Sequence, residues 1–256
     1  MASSSSSCKR IKQVATKQRD SDIDGWISDP EAQDTFVRSF RNCKIINHKY
    51  ADLPFFQTHV FAFPTLLSFQ SLEKFVQLKG NVYPDLVRIF YVNLRCEEDL
   101  LTSHVKGVNI VLTKELWTSI AGFQPGGLPA HRGLPGVNRL DIYQSCLRDP
   151  TAKRDYNIFR ADAMKKDERV LAFIISWILV PHNSNHAQLT TEDVFLLHAF
   201  KCNLLIDWFE VVSDTIQKAI KLPNYPLPYG VILCKVFEHY NVNFIGKLPM
   251  VRTILV

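Results

Sequence analysis

The sequence contains no long uninterrupted apolar run. The longest candidate is VLAFIISWILV, residues 170–180, which follows the charged KKDER and stops at Pro181. A helix that crosses a membrane needs about twenty apolar residues, so this segment is too short. The pattern predicts instead a core helix with Asp167 as its N-cap. One face of that helix carries apolar residues at helical spacing: Leu171, Ile174, Ile175 and Ile178. No transmembrane span is expected.

Closely spaced cysteine pairs are absent as well. The six cysteines are scattered, and none has the C-x-x-C spacing of a metal knuckle or a redox site. The start, MASSSSSCKR, lacks the apolar core of a secretion signal. Most of the cysteines fall in helical patterns, where a small buried thiol packs well. We expect reduced cysteines and an intracellular protein, cytoplasmic or nuclear.

Signatures of catalysis are also missing. The chain has no G-x-S-x-G elbow, no H-E-x-x-H helix and no G-x-x-x-x-G-K-[ST] phosphate loop. Residues 123–137, FQPGGLPAHRGLPGV, are predicted to be an exposed connector. The carboxylate pairs Glu97–Glu98 and Glu192–Asp193 fall at predicted helix ends, where solvent or the helix dipole accounts for them. We therefore expect a protein that is not an enzyme and has no cofactor and no metal site.

The histidines offer the one enzymatic alternative. His182 and His186 in PHNSNH have i, i+4 spacing, but Pro181 and two asparagines place them in a loop that would not align two metal ligands. His198 lies in a predicted helix beside its apolar face, where a local hydrogen bond is the simpler role. An unrecognised active site would require these three histidines to converge in a deep polar pocket.

The positive charge is concentrated at the N-terminus. The formal net charge is +5, and the only charged residues among the first nineteen are Lys9, Arg10, Lys12, Lys17 and Arg19. Without these five, 25 of the 30 basic residues remain, against 25 acidic ones. Such a tail would bind nucleic acid weakly, without sequence preference and with strong salt dependence. Contact with anionic lipid, a nuclear import signal and a solubilising leader are the alternatives.

Composition divides the chain into a tail and a fold. Residues 1–28 are rich in serine, then basic, then acidic at DSDID, and are predicted to be a disordered tail. Residues 29–256 are predicted to form a single mainly helical domain, with possible lobes 29–150 and 160–256. Asp29 followed by Pro30 predicts a short helix at its start. Residues 44–69, which are rich in aromatics and broken by two prolines, are expected to be extended segments packed on the core.

Residues 81–122 carry the clearest local pattern. Apolar residues at helical spacing from Tyr83 to Leu94 predict a central helix. Alternating residues on either side of Lys106–Gly107 then predict a hairpin. Thr113 can cap a following helix that ends at Gly122. The expected fold class is therefore mainly α with a small β-hairpin, an irregular helical globular domain behind a disordered N-terminal tail.

The C-terminal half predicts a helical array. Thr190 and Asp193 have the spacing of a capping box, and Asp207 with Glu210 repeats it. Apolar residues at helical spacing follow each box, and a further helix is expected between Pro228 and Asn241. The chain then runs into LPMVRTILV, which suggests docking onto the core or a truncated reading frame.

Residues 81–123 resemble the plant transposon protein domain family, found in proteins derived from Athila-like or related gypsy-type retrotransposons. In that pattern a helix ending FYANL, here FYVNL, precedes a V-x-G hairpin and a helix ending GF. Four further segments follow in the family's order, the first of them with altered spacing: Trp177–His182, Leu189–Ala199, Ile206–Lys221 and Leu227–Leu233. The resemblance covers roughly residues 33–245.

The resemblance implies origin more than activity. Some members are labelled envelope-like. This chain has no protease, polymerase or zinc-knuckle motif. The family has no agreed catalytic residues, so the resemblance implies none here. The expectation is a non-catalytic retrotransposon-derived protein, envelope-like or structural, that acts through protein contacts or self-association. The alternative is a nucleic-acid-associated protein of a capsid-like, transposase-accessory or plant-mobile-domain-like kind, binding through the basic tail.

Overall fold

The computed structural model describes residue 27 and residues 30–97, 100–182, 187–222, 224–250 and 254–255. The predicted tail of residues 1–28, including its five basic residues, lies outside the described residues except for Ile27, and Asp29, Glu98, His186 and Pro223 lie outside them too. Ile27 is buried, so the prediction of a disordered tail is wrong at this residue. The division of residues 29–256 into lobes stays a prediction.

The described fold is mainly α with a small antiparallel sheet, as predicted. Its α-helices are α1 (Pro30–Thr35), α2 (Leu53–Thr58), α3 (Phe63–Phe69), α4 (Glu73–Val76), α5 (Pro84–Val92), α6 (Lys114–Ala121), α7 (Arg139–Cys146), α8 (Lys166–Ile174), α9 (Thr191–Lys201), α10 (Trp208–Lys221) and α11 (Gly230–His239). Wider π-helical turns extend α1 over Phe36–Phe40 and α8 over Ile175–Leu179, and 3₁₀ turns form at Ala130–Arg132 and Ala161–Ala163.

The strands are short and fall in three places. They are β1 (Lys49–Tyr50), β2 (Arg95–Glu97), β3 (Leu100–Val105), β4 (Val108–Leu112), β5 (Phe159–Arg160), β6 (Gln188–Leu189) and β7 (Ile254–Leu255). Strands β2, β3 and β4 form an antiparallel sheet in that order, β5 pairs with β6, and β1 pairs in parallel with β7. The expectation that the C-terminal segment docks onto the fold is confirmed for Ile254–Leu255.

Helix α5 is central to the fold, as its apolar spacing predicts. It packs against β3, α10, α11 and the π-turn after α1, and Leu86, Val87, Ile89 and Phe90 are fully buried. The hairpin closes through Lys106 and Gly107, both with positive φ, as a two-residue turn between twisted strands requires. Thr113 caps α6 through the Leu116 N–H, and Gly122 ends it at φ 85°. The additional strand β2 places Glu97 in the sheet, so the prediction that Glu97 lies at a helix end is wrong.

The aromatic segment 44–69 is extended only at its start, where Ile45 bridges to Leu227 and β1 lies at Lys49–Tyr50. From Leu53 to Phe69 it forms α2 and α3, so the prediction of extended segments is wrong for these residues. Pro54 and Pro64 each lie in the first turn of a helix, α2 and α3 respectively. At that position proline lacks only an N–H that would have no partner within the helix. Phe56, Phe61 and Phe63 pack edge to face with ring centres 4.9–5.6 Å apart and hold the two helices together.

Asp167 does not cap α8, contrary to the prediction. The N-cap of α8 is Lys165, which makes no side-chain cap bond. Asp167 Oδ1 instead accepts from the backbone N–H groups of Ala62, at 2.7 Å, and Phe63, at 3.2 Å. It therefore caps α3, more than a hundred residues away in sequence. The predicted core face of α8 and its π-turn is confirmed, since Leu171, Ile174, Ile175 and Ile178 are all buried.

The connector between α6 and α7 is only partly exposed. Phe123, Ala130 and His131 are buried, and Leu128 forms a parallel bridge with Ile206. The capping box of Thr190 and Asp193 is present at α9. At α10, Asp207 caps the helix, but Glu210 binds Arg132 of this connector instead of completing a box. None of the described helices is both long enough and apolar enough to cross a membrane.

Candidate functional site

Of the three histidines in the enzymatic alternative, the structure describes His182 and His198, and His186 lies outside the described residues. His182 Nε2 lies 3.0 Å from Asp193 Oδ2, and both side chains are buried. His198 lies on the surface of α9, with Nε2 3.6 Å from Sγ of Cys202 one turn later. Burial and the nearby charge of Lys201 lower the pKa of His198. Within the described ranges, no group of three or more histidine, cysteine or acidic side chains could hold a metal ion.

The described cysteines do not form a recognisable reactive site. The five described cysteines are free thiols: Cys43, Cys96, Cys146, Cys202 and Cys234. Cys146 lies 3.4 Å from Lys201 Nζ, but burial, as the largest effect, raises its pKa. A thiol held protonated is a poor nucleophile, so the contact between Lys201 and Cys146 is better explained as a structural hydrogen bond than as a reactive site.

An ionic cluster joins the glycine-rich connector to α10, and no sequence pattern predicts it. Asp214 Oδ2 accepts from His131 Nε2 and from Arg132 Nε, both at 2.8 Å, and Arg132 Nη2 reaches Glu210 at 2.6 Å. Burial of Asp214 opposes its ionisation, but the hydrogen bonds from His131 and Arg132 outweigh it and hold its pKa well below the ordinary value. The four side chains bind one another, so the cluster fastens the connector to α10.

An uncharged face is formed by α2, α3 and the turn between them. Residues 53–72 contain no lysine, arginine, aspartate or glutamate. Phe55 is 50% exposed, Val60 88% and Phe69 46%, while the opposite side of the two helices is buried through Leu53, Phe56, Phe63 and Leu67. Charged groups border this face at Lys166, whose Nζ lies 3.8 Å from the Phe61 ring centre, and at the capping Asp167.

The uncharged face is anchored by one buried amide. Gln70 follows α3 and is 3% exposed. Its Nε2 donates to Leu204 O at 2.7 Å, and its Oε1 accepts from Ile206 N at 3.1 Å and from Trp208 Nε1 at 3.3 Å. Both ends of the amide therefore have partners, and the C-terminal end of α3 is fixed to the start of α10.

A basic groove of about 730 Å³ lies between residues 35–44 and residues 219–226. Among the described residues of its lining, Arg38, Lys44 and Lys221 are charged and none is acidic. Asp34 pairs with Arg38 at 2.9 Å, but both side chains are more than half exposed. Such an exposed pair contributes little. The described fold therefore has a cationic surface that its near-neutral composition does not reveal.

Comparisons with known proteins add no relative. No protein-family model matches the chain, and searches of curated proteins and of solved structures find no match. The resemblance to the plant transposon protein domain family thus stays a prediction, carried by the order of its motifs.

Proposed function

We propose that this protein is a non-catalytic product of a plant retrotransposon, either envelope-like or structural. It self-associates through the uncharged face of α2 and α3. The observation that carries the proposal is the exposure of Phe55, Val60 and Phe69 within a stretch that has no charged residue. Interface cores are enriched in aromatic residues and depleted of charge in the same way. The retrotransposon origin rests on the resemblance of residues 33–245.

A second copy of the chain is the partner that this surface favours. In a two-fold symmetric dimer the same patch meets itself, so any charged residue near the axis would face its own copy. The uncharged face avoids that repulsion, whereas the basic groove would repel itself. The hydrogen bonds of Gln70 and the packed phenylalanines also hold the face in one conformation, so little ordering would be needed on association.

The experiment is sedimentation velocity of the full chain over a concentration series at about 0.1 M and about 1 M salt. We expect a dimer or higher oligomer whose formation does not weaken at high salt, because apolar burial is not screened. Val60→Asp places a charge in the face and should shift the population to monomer. The turn tolerates aspartate, since Val60 has φ 57° and aspartate adopts this conformation more readily than valine.

Ile245→Asp is the matched control. Ile245 is 83% exposed, close to the 88% of Val60, and lies outside the uncharged face. Its substitution should leave the oligomer intact. A wild-type chain that remains monomeric throughout the series would rule out this interface. So would a Val60→Asp variant that associates as strongly as the wild type and the Ile245→Asp control. Binding to neutral phospholipid vesicles instead of self-association would assign the face to a lipid surface and equally overturn the proposal.

A further inference from the structure

The basic groove has the chemistry of a site for an acidic ligand that also carries apolar side chains. Its cations come from two separate parts of the chain, Arg38 and Lys44 on one wall and Lys221 on the other. Apolar groups lie between them, including Phe40 and the partly exposed Ile220 and Leu222. A purely polar anion would leave this apolar surface in water.

We propose that the chain's own residues 20–26, DSDIDGW, occupy the basic groove. Three aspartates, Asp20, Asp22 and Asp24, equal the three named cations of the lining in number and are opposite to them in charge. Ile23 and Trp26 supply the apolar side chains that the floor of the groove would accept. This inference concerns a different surface from the self-association face and does not depend on it.

The connection to the fold brings this segment close to the groove. Ile27 is buried, and its carbonyl oxygen accepts from Gln33 Nε2 at 2.6 Å. Gln33 lies two residues before Thr35, where the lining of the groove begins. Seven extended residues span about 23 Å, at about 3.3 Å each. The segment can therefore reach across the opening from its attachment point.

Tethering makes a weak contact sufficient. A segment joined to its site by a short linker has an effective concentration in the millimolar range, so a few exposed ion pairs and a modest apolar contact can keep it bound. Docking would neutralise the groove and leave the basic residues 9–19 as the outer part of the tail. An external acidic protein would then have to displace the segment before binding.

The test is disulfide trapping between the thiol introduced by Ile23→Cys and Cys43, a half-buried native thiol in the groove. Mild oxidation of the full-length protein should join the introduced thiol to Cys43 within one chain, and peptide mass mapping identifies this cross-link. Thr16→Cys, in the basic part of the tail, is the matched control and should cross-link far less. Cys43→Ser removes the target and should abolish the product.

Charge variants test whether the same cross-link depends on ionic contacts. Lys221→Glu should lower the yield of the cross-link to Cys43 by about fivefold, as should raising the salt concentration, and adding Asp22→Lys should restore part of it. Equal trapping by the Thr16→Cys and Ile23→Cys variants, or a yield unaffected by Lys221→Glu and by salt, would overturn the proposal. A bond that forms only between two chains would show that the occupant comes from another copy, and would overturn it too.

Discussion

Gly126 and Gly127 are neighbours with similar positive φ angles, 99° and 107°, but only Gly127 is crowded. A Cβ on Gly127 would lie 2.5 Å from the carbonyl carbon of Ile206 and 2.7 Å from the nitrogen of Asp207, whereas one on Gly126 would meet nothing within 4 Å. Glycine is therefore required at the first position for its backbone angle and at the second also for space.

We expect Gly127→Ala to lower the free energy of unfolding by about 2–4 kcal/mol, because the bridge between Leu128 and Ile206 must open. Gly126→Ala, which adds only backbone strain, should cost about 1 kcal/mol. Urea denaturation followed by tryptophan fluorescence measures both. Equal losses for the two variants would mean that the close approach of the connector to residue 206 is not maintained in solution.

Asp214 should make stability depend on pH. A carboxyl whose folded-state pKa is lowered contributes stability that is present above its unfolded pKa of about 3.9 and is lost as the pH falls. The contribution of Asp214 should thus be constant from pH 7 to about pH 5 and decline below about pH 4. Asp214→Asn should cost about 1–3 kcal/mol at pH 7 and flatten the acid limb of the curve.

Asp162→Asn is the control for this pH profile. Asp162 pairs with Arg160 at 3.3 Å, but both side chains are 61% exposed. Loss of such a pair should change the free energy of unfolding by less than about 0.5 kcal/mol. If the Asn substitutions at 214 and 162 have the same small effect, the ionic cluster does not fasten the connector.

At the scale of elements, local signals predicted local structure. The helix, hairpin and helix of residues 81–122 follow from apolar spacing, one turn and two caps, all within a few residues of the atoms they control. The prolines of α2 and α3 did not predict the local structure, because proline is found both in the first turn of helices and at positions where helices are broken. The partners of Asp167, Gln70 and Asp214 lie far away in sequence, and no pattern in one chain identifies them.

Asp167 should therefore stabilise α3 and not the helix that contains it. Asp167→Ala removes the acceptor of the Ala62 and Phe63 N–H groups, and we expect a loss of about 1 kcal/mol. Hydrogen exchange should accelerate in residues 62–66, while residues 166–170 stay close to the wild type. Faster exchange confined to residues 166–170 would restore the original prediction that Asp167 caps α8.

At the scale of the whole molecule, the two candidate surfaces differ in chemistry. The uncharged face would respond to apolar substitution and not to salt, whereas the basic groove and the tail cations would respond to salt. If both proposals hold, the protein would make two separable kinds of contact. Composition alone predicted the charged tail but neither surface, because both depend on which side of a helix each residue occupies after folding.

Nucleic-acid binding should depend on the tail. We expect the full chain to bind single-stranded RNA or duplex DNA weakly, with affinity that falls steeply as salt rises, through about five charges. Removing residues 1–28 should abolish that binding. Fluorescence anisotropy with labelled oligonucleotides measures it, and affinity that survives the deletion would assign the contact to the folded part of the chain.

The hydrogen bonds of Gln70 also have a consequence for biosynthesis. The amide that fixes the end of α3 has its partners at residues 204–208, so its hydrogen bonds cannot form until those residues have left the ribosome. Domains fold as units as the chain emerges. The uncharged face should thus acquire its final shape only after residues 204–208 have emerged, so nascent chains shorter than this should pair little with their neighbours on one messenger RNA.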